Sequence, residues 1–280
     1  MSYRLCAFAD EADSALSGQI DALKRNHITL LELRGVDGTN VADLTPEKVR
    51  ETRDRLADAG IAVWSIGSPT GKIKITDDFA PHLDSFKRML ETAHTLGATH
   101  FRLFSFYESY DHPEEVIARM GALCDTAAGS GVTLCHENEK GIFGDTPERI
   151  VKLLSALPAL QTVFDPANFV QSSVETLPAW ELLRDRTAYL HIKDSRADGT
   201  VVPAGCGDGH IDVIVPDYLA RGGQVMTLEP HLAEFCGLAG LEQEDDKSVV
   251  GSQEFHYDNN HEAFDAGVAA LRRILDGCAF

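Results

Sequence analysis

Four stretches in the second half of the chain decide its reading: VTLCHENE (residues 132–139), TVFDPAN (162–168), AYLHIKDS (188–195) and QVMTLEPHL (224–232). Each is a short β-rich apolar run that ends on a side chain able to ligate a metal. Those side chains are Glu137, Asp165, His191 and Glu229, at intervals of 28, 26 and 38 residues. Each interval is about one strand plus one helix. In a closed barrel of β/α units, successive strand C-termini converge on one side of the mouth. Four residues far apart in sequence are thereby expected to surround one point.

Working outward, the same rhythm fills the chain. Strands are predicted at Arg4–Phe8, Ile28–Leu33, Ile61–Ile66, Thr99–Phe104, Val132–Glu137, Thr162–Asp165, Ala188–Ile192 and Gln224–Leu228. Helical patterns lie between them. Thr45 is the expected N-cap of a helix opening at Pro46, and Thr146 the expected N-cap of one opening at Pro147. Gly97 closes a helix over Pro81–Leu96, and His261–Leu275 carries apolar residues at helical spacing. Eight β/α units in 280 residues predict an α/β protein, a single (β/α)8 TIM barrel over residues 1–280. A dinucleotide-binding open sheet is disfavoured, because CAFADEADS after the first strand contains no glycine. The longest aperiodic stretch, about 233–260, reads as a lid loop over the mouth.

Composition narrows the function. The formal charge of -19 repels phosphate backbones and anionic lipid heads, so neither nucleic acid nor a membrane is an expected partner. The six cysteines contain no CxxC pair and read as reduced thiols, which points to the cytoplasm. The N-terminus turns acidic within a few residues and has no signal-peptide core, and no apolar run is long enough to span a bilayer.

The donor set is three carboxylates and one imidazole. That suits a hard divalent cation better than a structural zinc, which recruits thiolates. Taken singly, a strand-end carboxylate is more often a cap or an ion-pair partner, and a lone His a satisfied core residue. Four of them at unit spacing on successive strands favour the metal. Around this set, Asn168, His231, Lys193, Asp194 and Arg102 are expected to bind substrate, with Lys193 and Asp194 also able to orient His191. Glu32 and Arg34 are further residues for the mouth. His136 falls on the opposite strand face and reads as packing, and Glu137 is preferred over Glu139 as the ligand. The Gly-rich segment Val202–Asp212 is a substrate cover or a connector; it lacks the ending of a phosphate-binding P-loop.

Read in order, LCHEN, FDPAN, HIKD and LEPH resemble the sugar (phosphate) isomerase/epimerase superfamily, whose members are xylose isomerase-like TIM barrels. The resemblance implies one divalent metal ion per chain, Mn²⁺ first, with Mg²⁺, Co²⁺, Fe²⁺ or Zn²⁺ as alternatives. It implies a small carbohydrate substrate, and catalysis by Glu137 and Glu229 moving a proton on either face of a metal-stabilised enediolate. The expected activity is isomerisation or epimerisation of a sugar, sugar phosphate or related polyol ketone. An inosose-type dehydratase is the alternative on the same site, and an endonuclease IV-like repair enzyme is disfavoured. Asn168 stands where relatives with more metals often carry His, which argues against a multi-metal site. A homo-oligomer is compatible with this barrel type.

Overall fold

The computed structural model describes residues 3–238, 249–251 and 254–278. Eight parallel strands close into a barrel: β1 (Arg4–Ala7), β2 (Leu30–Leu33), β3 (Ala62–Gly67), β4 (His100–Leu103), β5 (Thr133–Glu137), β6 (Gln161–Phe164), β7 (Thr187–Ile192) and β8 (Val225–Leu228). Each pairs with its neighbours in sequence, and β1 closes on β8 with Arg4 opposite Val225 and Ala7 opposite Leu228. The predicted (β/α)8 barrel and all eight of its strands are therefore present. Outside lie α1 (Leu16–Arg25), α2 (Pro46–Asp58), α3 (Phe79–Leu96), α4 (Pro113–Ala127), α5 (Pro147–Ala156), α6 (Thr176–Leu183), α7 (Ile211–Ala220) and α8 (Asn260–Gly277).

Local chemistry sets most of these boundaries. Thr45 caps α2 by accepting the Lys48 N–H at 3.2 Å, as its sequence predicts. Thr146 is the N-cap of α5, as expected, although its side chain makes no capping hydrogen bond. Gly97 ends α3 in the left-handed conformation, at φ 72°.

Two apolar layers divide the work. The larger lies between strands and helices and includes Leu190 and Ile192 of β7 with Phe86, Phe164, Trp180 and Phe264. The smaller fills the barrel interior and joins Cys6, Leu30, Cys135, Val163, Tyr189 and Val225 from six strands. All six cysteines are unpaired, and no described helix is long and apolar enough to cross a membrane.

The sequence reading missed several small elements. A six-residue helix, Pro166–Gln171, follows β6 directly, and two short hairpins pair Gly35–Val36 with Thr39–Asn40 and Asp194–Ser195 with Val201–Val202. Of the expected lid, residues 239–248 and 252–253 lie outside the described residues. The described part near 233–238 borders the mouth, where Phe235 packs on His231 and on the Arg34 guanidinium.

His136 sits on the outward face of β5, as expected. Its Nε2 is 2.9 Å from Ser105 Oγ, and its ring packs so close to Gly144 that a Cβ there would lie 2.2 Å from Cε1. Burial holds this imidazole neutral, lowering it from 6.5 to about 4. As pH falls through that window the unfolded chain takes up the proton first, so the stability contribution is full above about 6.5 and declines towards 4. Denaturant titrations of a His136→Asn variant should accordingly show a shallower loss of stability between these pH values than the parent. An unchanged slope would mean that His136 does not titrate in this way.

Candidate metal centre

Period-two alternation delivers the ligands. Cys135, Val163 and Tyr189 face the barrel axis in the interior cluster. Two residues on, the same phase returns to the axis one layer nearer the mouth. Those positions are Glu137, Asp165 and His191. On β8, Glu229 follows Val225 and Thr227 in the same phase. Glu137, Asp165, His191 and Glu229 are all buried, and each offers a ligand atom within 4.8 Å of the others.

His191 Nδ1 is 2.9 Å from Glu137 Oε1 and 3.0 Å from Glu229 Oε2. One ring N–H cannot serve both carboxylates. Glu229 Oε2 is left without a hydrogen bond, and so is Asp165 Oδ2, although Lys193 Nζ lies 3.2 Å from the latter. Buried carboxylate oxygens without partners are costly, and these two face the same point. Three oxygen donors and one nitrogen, with two oxygens unsatisfied, fit a divalent cation.

Electrostatics agree. Burial opposes charge on His191, yet Glu137, Glu32 and Glu229 outweigh it and push the imidazole well above its usual range. Burial and the neighbouring carboxylates raise Asp165 to about 6, even with Lys193 beside it. The set thus favours positive charge at its centre, and a divalent ion would take that place by displacing the Nδ1 proton. Burial also opposes ionisation of Glu137, but His191 and Arg102 overcome it and hold the carboxyl at about 2. Glu229 likewise stays ionised despite burial, because Lys193 and His191 pull it well below the carboxylate range.

Each flanking glutamate is tied to an arginine. Arg102 donates to Glu137 Oε2 at 2.8 Å, and Arg34 donates to Glu229 Oε1 at 3.0 Å. Arg34 is further held by Asp10 at 2.9 and 3.1 Å and by Glu11 at 3.3 Å.

Residues 20–216 match the family model described as Xylose isomerase-like TIM barrel, well over half of the chain. The chain belongs to the xylose isomerase-like TIM barrel family. The matched span carries Glu137, Asp165 and His191 and ends before Glu229. Among solved structures, L-ribulose 3-epimerase aligns on this xylose isomerase-like barrel with a TM-score of 0.73 at 16% identity, covering 99% of this chain and 96% of its own. The probable 3-DHS dehydratase AsbF of Bacillus anthracis, involved in petrobactin synthesis, aligns with a TM-score of 0.71 at 16% identity, over 97% and 99% of the two chains. The IOLI protein, whose structure holds a zinc atom, aligns with a TM-score of 0.73 at 16% identity over 99% of each. Identity this low establishes a shared fold. No curated protein matches the chain by sequence.

The remaining expected residues fall into two groups in this xylose isomerase-like barrel. Arg102, Lys193 and His231 reach the mouth. His231 Nε2 is 3.4 Å from Glu11 Oε1 and 3.3 Å from Glu229 Oε1, and neither ring nitrogen has a hydrogen bond. Glu11, Glu229 and His231 form a second donor cluster next to the first. Asp194, by contrast, corrects the sequence reading. Its buried carboxylate accepts the N–H groups of Gly205 and Gly207 at 2.8 and 3.0 Å and of Gly209 at 3.0 Å. It makes no hydrogen bond to His191 and instead anchors the Gly-rich loop, one strand position out of phase with His191 and Lys193. Asn168 is drawn into the scaffold as well. Its amide Nδ2 donates to Asn138 O at 2.8 Å and Glu137 Oε1 at 3.4 Å, so it braces Glu137.

The sequence reading missed Asn138 and gave Glu32 no role. Asn138 clamps the end of β6 by donating to Asp165 O at 2.8 Å and accepting the Asp165 N–H at 2.9 Å. Glu32, placed only loosely near the mouth, lies beneath the centre and is fully buried. It accepts from Tyr189 Oη at 2.8 Å and Thr227 Oγ1 at 2.9 Å, and its Oε2 is 3.2 Å from His191 Nε2. A proton on Nε2 leaves Nδ1 to the metal. A charged residue inside the apolar run ITLLEL was the signal for such a partner. Glu32→Gln should therefore weaken Mn²⁺ binding, measured by titration calorimetry, by about 10–100-fold. Unchanged affinity would remove Glu32 from this role.

Proposed function

We propose that the protein is a divalent-metal-dependent isomerase or epimerase of a sugar, sugar phosphate or related polyol ketone. The observation that carries this reading is the placing of two ionised glutamates at 2.9 and 3.0 Å from His191 Nδ1, within one four-residue donor cluster. Glu137, Asp165, His191 and Glu229 would hold the ion. When bound, such an ion supplies Lewis-acid polarisation of a carbonyl and offsets the negative charge that builds on its oxygen.

The chain's own residues do the rest. The carbon next to a carbonyl is a weak acid, and its proton must leave to a base positioned for it. Glu137 and Glu229 are held as carboxylates at neutral pH, each fixed by one arginine. One takes the proton from a face of the carbon and becomes a carboxylic acid, while the other, having first taken up a proton from solvent, delivers it to the opposite face and returns to the carboxylate, which inverts that centre. Return by a single base to the neighbouring carbon gives isomerisation instead. Lys193, buried beside Asp165, supplies a fixed positive charge at the rim of the donor set. Burial of the whole constellation keeps bulk water from competing for the proton.

The test is product analysis of the Mn²⁺-loaded protein on a panel of ketoses, sugar acids and sugar phosphates in D₂O. The expected product has unchanged composition and carries deuterium at the reacting carbon; a mass lower by one water would make the enzyme a dehydratase. One metal ion per chain is expected by elemental analysis, where three would suit the nuclease chemistry. Glu229→Gln should lower turnover by about 10²–10⁴-fold while retaining weak metal binding. Full activity in that variant would refute the two-carboxylate mechanism.

A further inference from the structure

Arg102 is a buried guanidinium with few partners. The residue is 3% exposed, and the bond to Glu137 is the guanidinium's one hydrogen bond among the described residues. Its Nε is enclosed without an acceptor, so the donors left to meet a cavity ligand are those of the terminal nitrogens. A guanidinium carries five N–H donors and no acceptor, and a buried one is stable only when those donors are met. Arg34, equally buried, shows the difference, since Asp10, Glu11 and Glu229 engage its three nitrogens.

Arg102 does not stand alone. It and Lys72 line one cavity of about 250 Å³ at the mouth, bounded also by Arg34, Phe104, Gly67 and Pro69. The Arg102 guanidinium lies 4.8 Å and the Lys72 ammonium 4.5 Å from the Phe104 ring centroid. Each cation meets a carboxylate, Arg102 with Glu137 at 2.8 Å and Lys72 with Glu139 at 3.0 Å. Asp10, the carboxylate that borders the cavity, is engaged by Arg34. A strongly acidic chain therefore lines a cavity beside its donor cluster with three cations.

We infer that this cavity is an anion subsite, with Arg102 as its fork and Lys72 as its second charge, and that the substrate is a carboxylate-bearing sugar or polyol ketone. The inference rests on the proposed function and narrows its substrate class. A planar carboxylate matches the guanidinium edge in two parallel hydrogen bonds, whereas a hydroxyl meets one donor at a time. The bond from Arg102 to Glu137 then places the substrate's anionic end at a fixed distance from one of the two proton-carrying groups. A phosphate ester would use the same cations, and the experiment separates the two.

The experiment is titration calorimetry of the Mn²⁺-loaded protein with D-tagaturonate, D-tagatose and D-tagatose 6-phosphate. The uronate is expected to bind at least about tenfold tighter than the neutral ketose, the factor that one charge-assisted hydrogen bond supplies. Tighter binding of the phosphate ester than of the uronate would overturn the carboxylate assignment. Arg102→Gln should abolish the preference of charged over neutral ligand, and Lys72→Met should reduce it. The ratio of affinities is read because Arg102 also holds Glu137, so a general loosening of the site lowers both affinities together. Arg102→Lys keeps the charge and removes the fork, and it should fail to restore the uronate preference. Equal binding of the neutral ketose, a preference that survives Arg102→Gln, or no anion binding while Mn²⁺ still binds one per chain overturns the subsite and leaves the metal reading standing. Loss of Mn²⁺ binding itself in the parent protein would instead sink the function on which the subsite depends.

Discussion

The structure depends on mutual repulsion among Glu137, Asp165 and Glu229, three carboxylates buried within ligand distance of one another. Such a group is stable only if positive charge lies among or around it. The surrounding charge is present: Arg102 on Glu137, Arg34 on Glu229 and Lys193 beside Asp165. The charge among them is the place that His191 and a cation would share. Without the flanking cations the carboxylates would protonate and lose their value as ligands and bases. Asp165, raised to about 6, shows how near that limit the set already lies.

This arrangement explains why the cluster sits at the end of four strands and nowhere else. Fixing three repelling groups takes backbone that does not yield. Hydrogen-bonded strands supply it, and the side-chain phase puts an apolar residue beneath ligand after ligand: Cys135 under Glu137, Val163 under Asp165 and Tyr189 under His191. The short helix Pro166–Gln171 adds a second constraint. Asp165 accepts the Asn168 N–H at 2.9 Å as its cap, so the ligand is also the helix start and its free oxygen is aimed.

What the sequence disclosed follows from which contacts have a period. Strands, helices and the four strand-end donors recur at β/α spacing, so the meeting of Glu137, Asp165, His191 and Glu229 at one point was legible before any coordinates. Asp194 was misassigned because an odd offset from His191 puts it on the opposite face; its partners are three glycine N–H groups more than ten residues on. Asn168 and Asn138 serve neighbouring strand ends, a relation that pairing makes and spacing does not announce. Glu32 shares no local motif with the late strands at all. It reaches His191 across the barrel interior, a contact that exists only once β2 and β7 face each other around the closed sheet. Thr146 shows the converse limit: the residue type was right for a cap, but its side chain is not used.

The two apolar layers make the polar mouth sustainable. Most of the buried hydrophobic surface lies between strands and helices, away from the axis, and burial of that area is the main source of folding stability. The interior contributes a thin apolar plug of six residues, above which the barrel is lined by charge. The unfavourable part of the molecule is thereby confined to one end of one cavity, where a small number of cations is enough to balance it. A barrel stabilised mainly by its interior could not devote that end to carboxylates. This one can, because Leu190 and Ile192 face the helices while Tyr189 and His191, their neighbours on the same strand, face the axis.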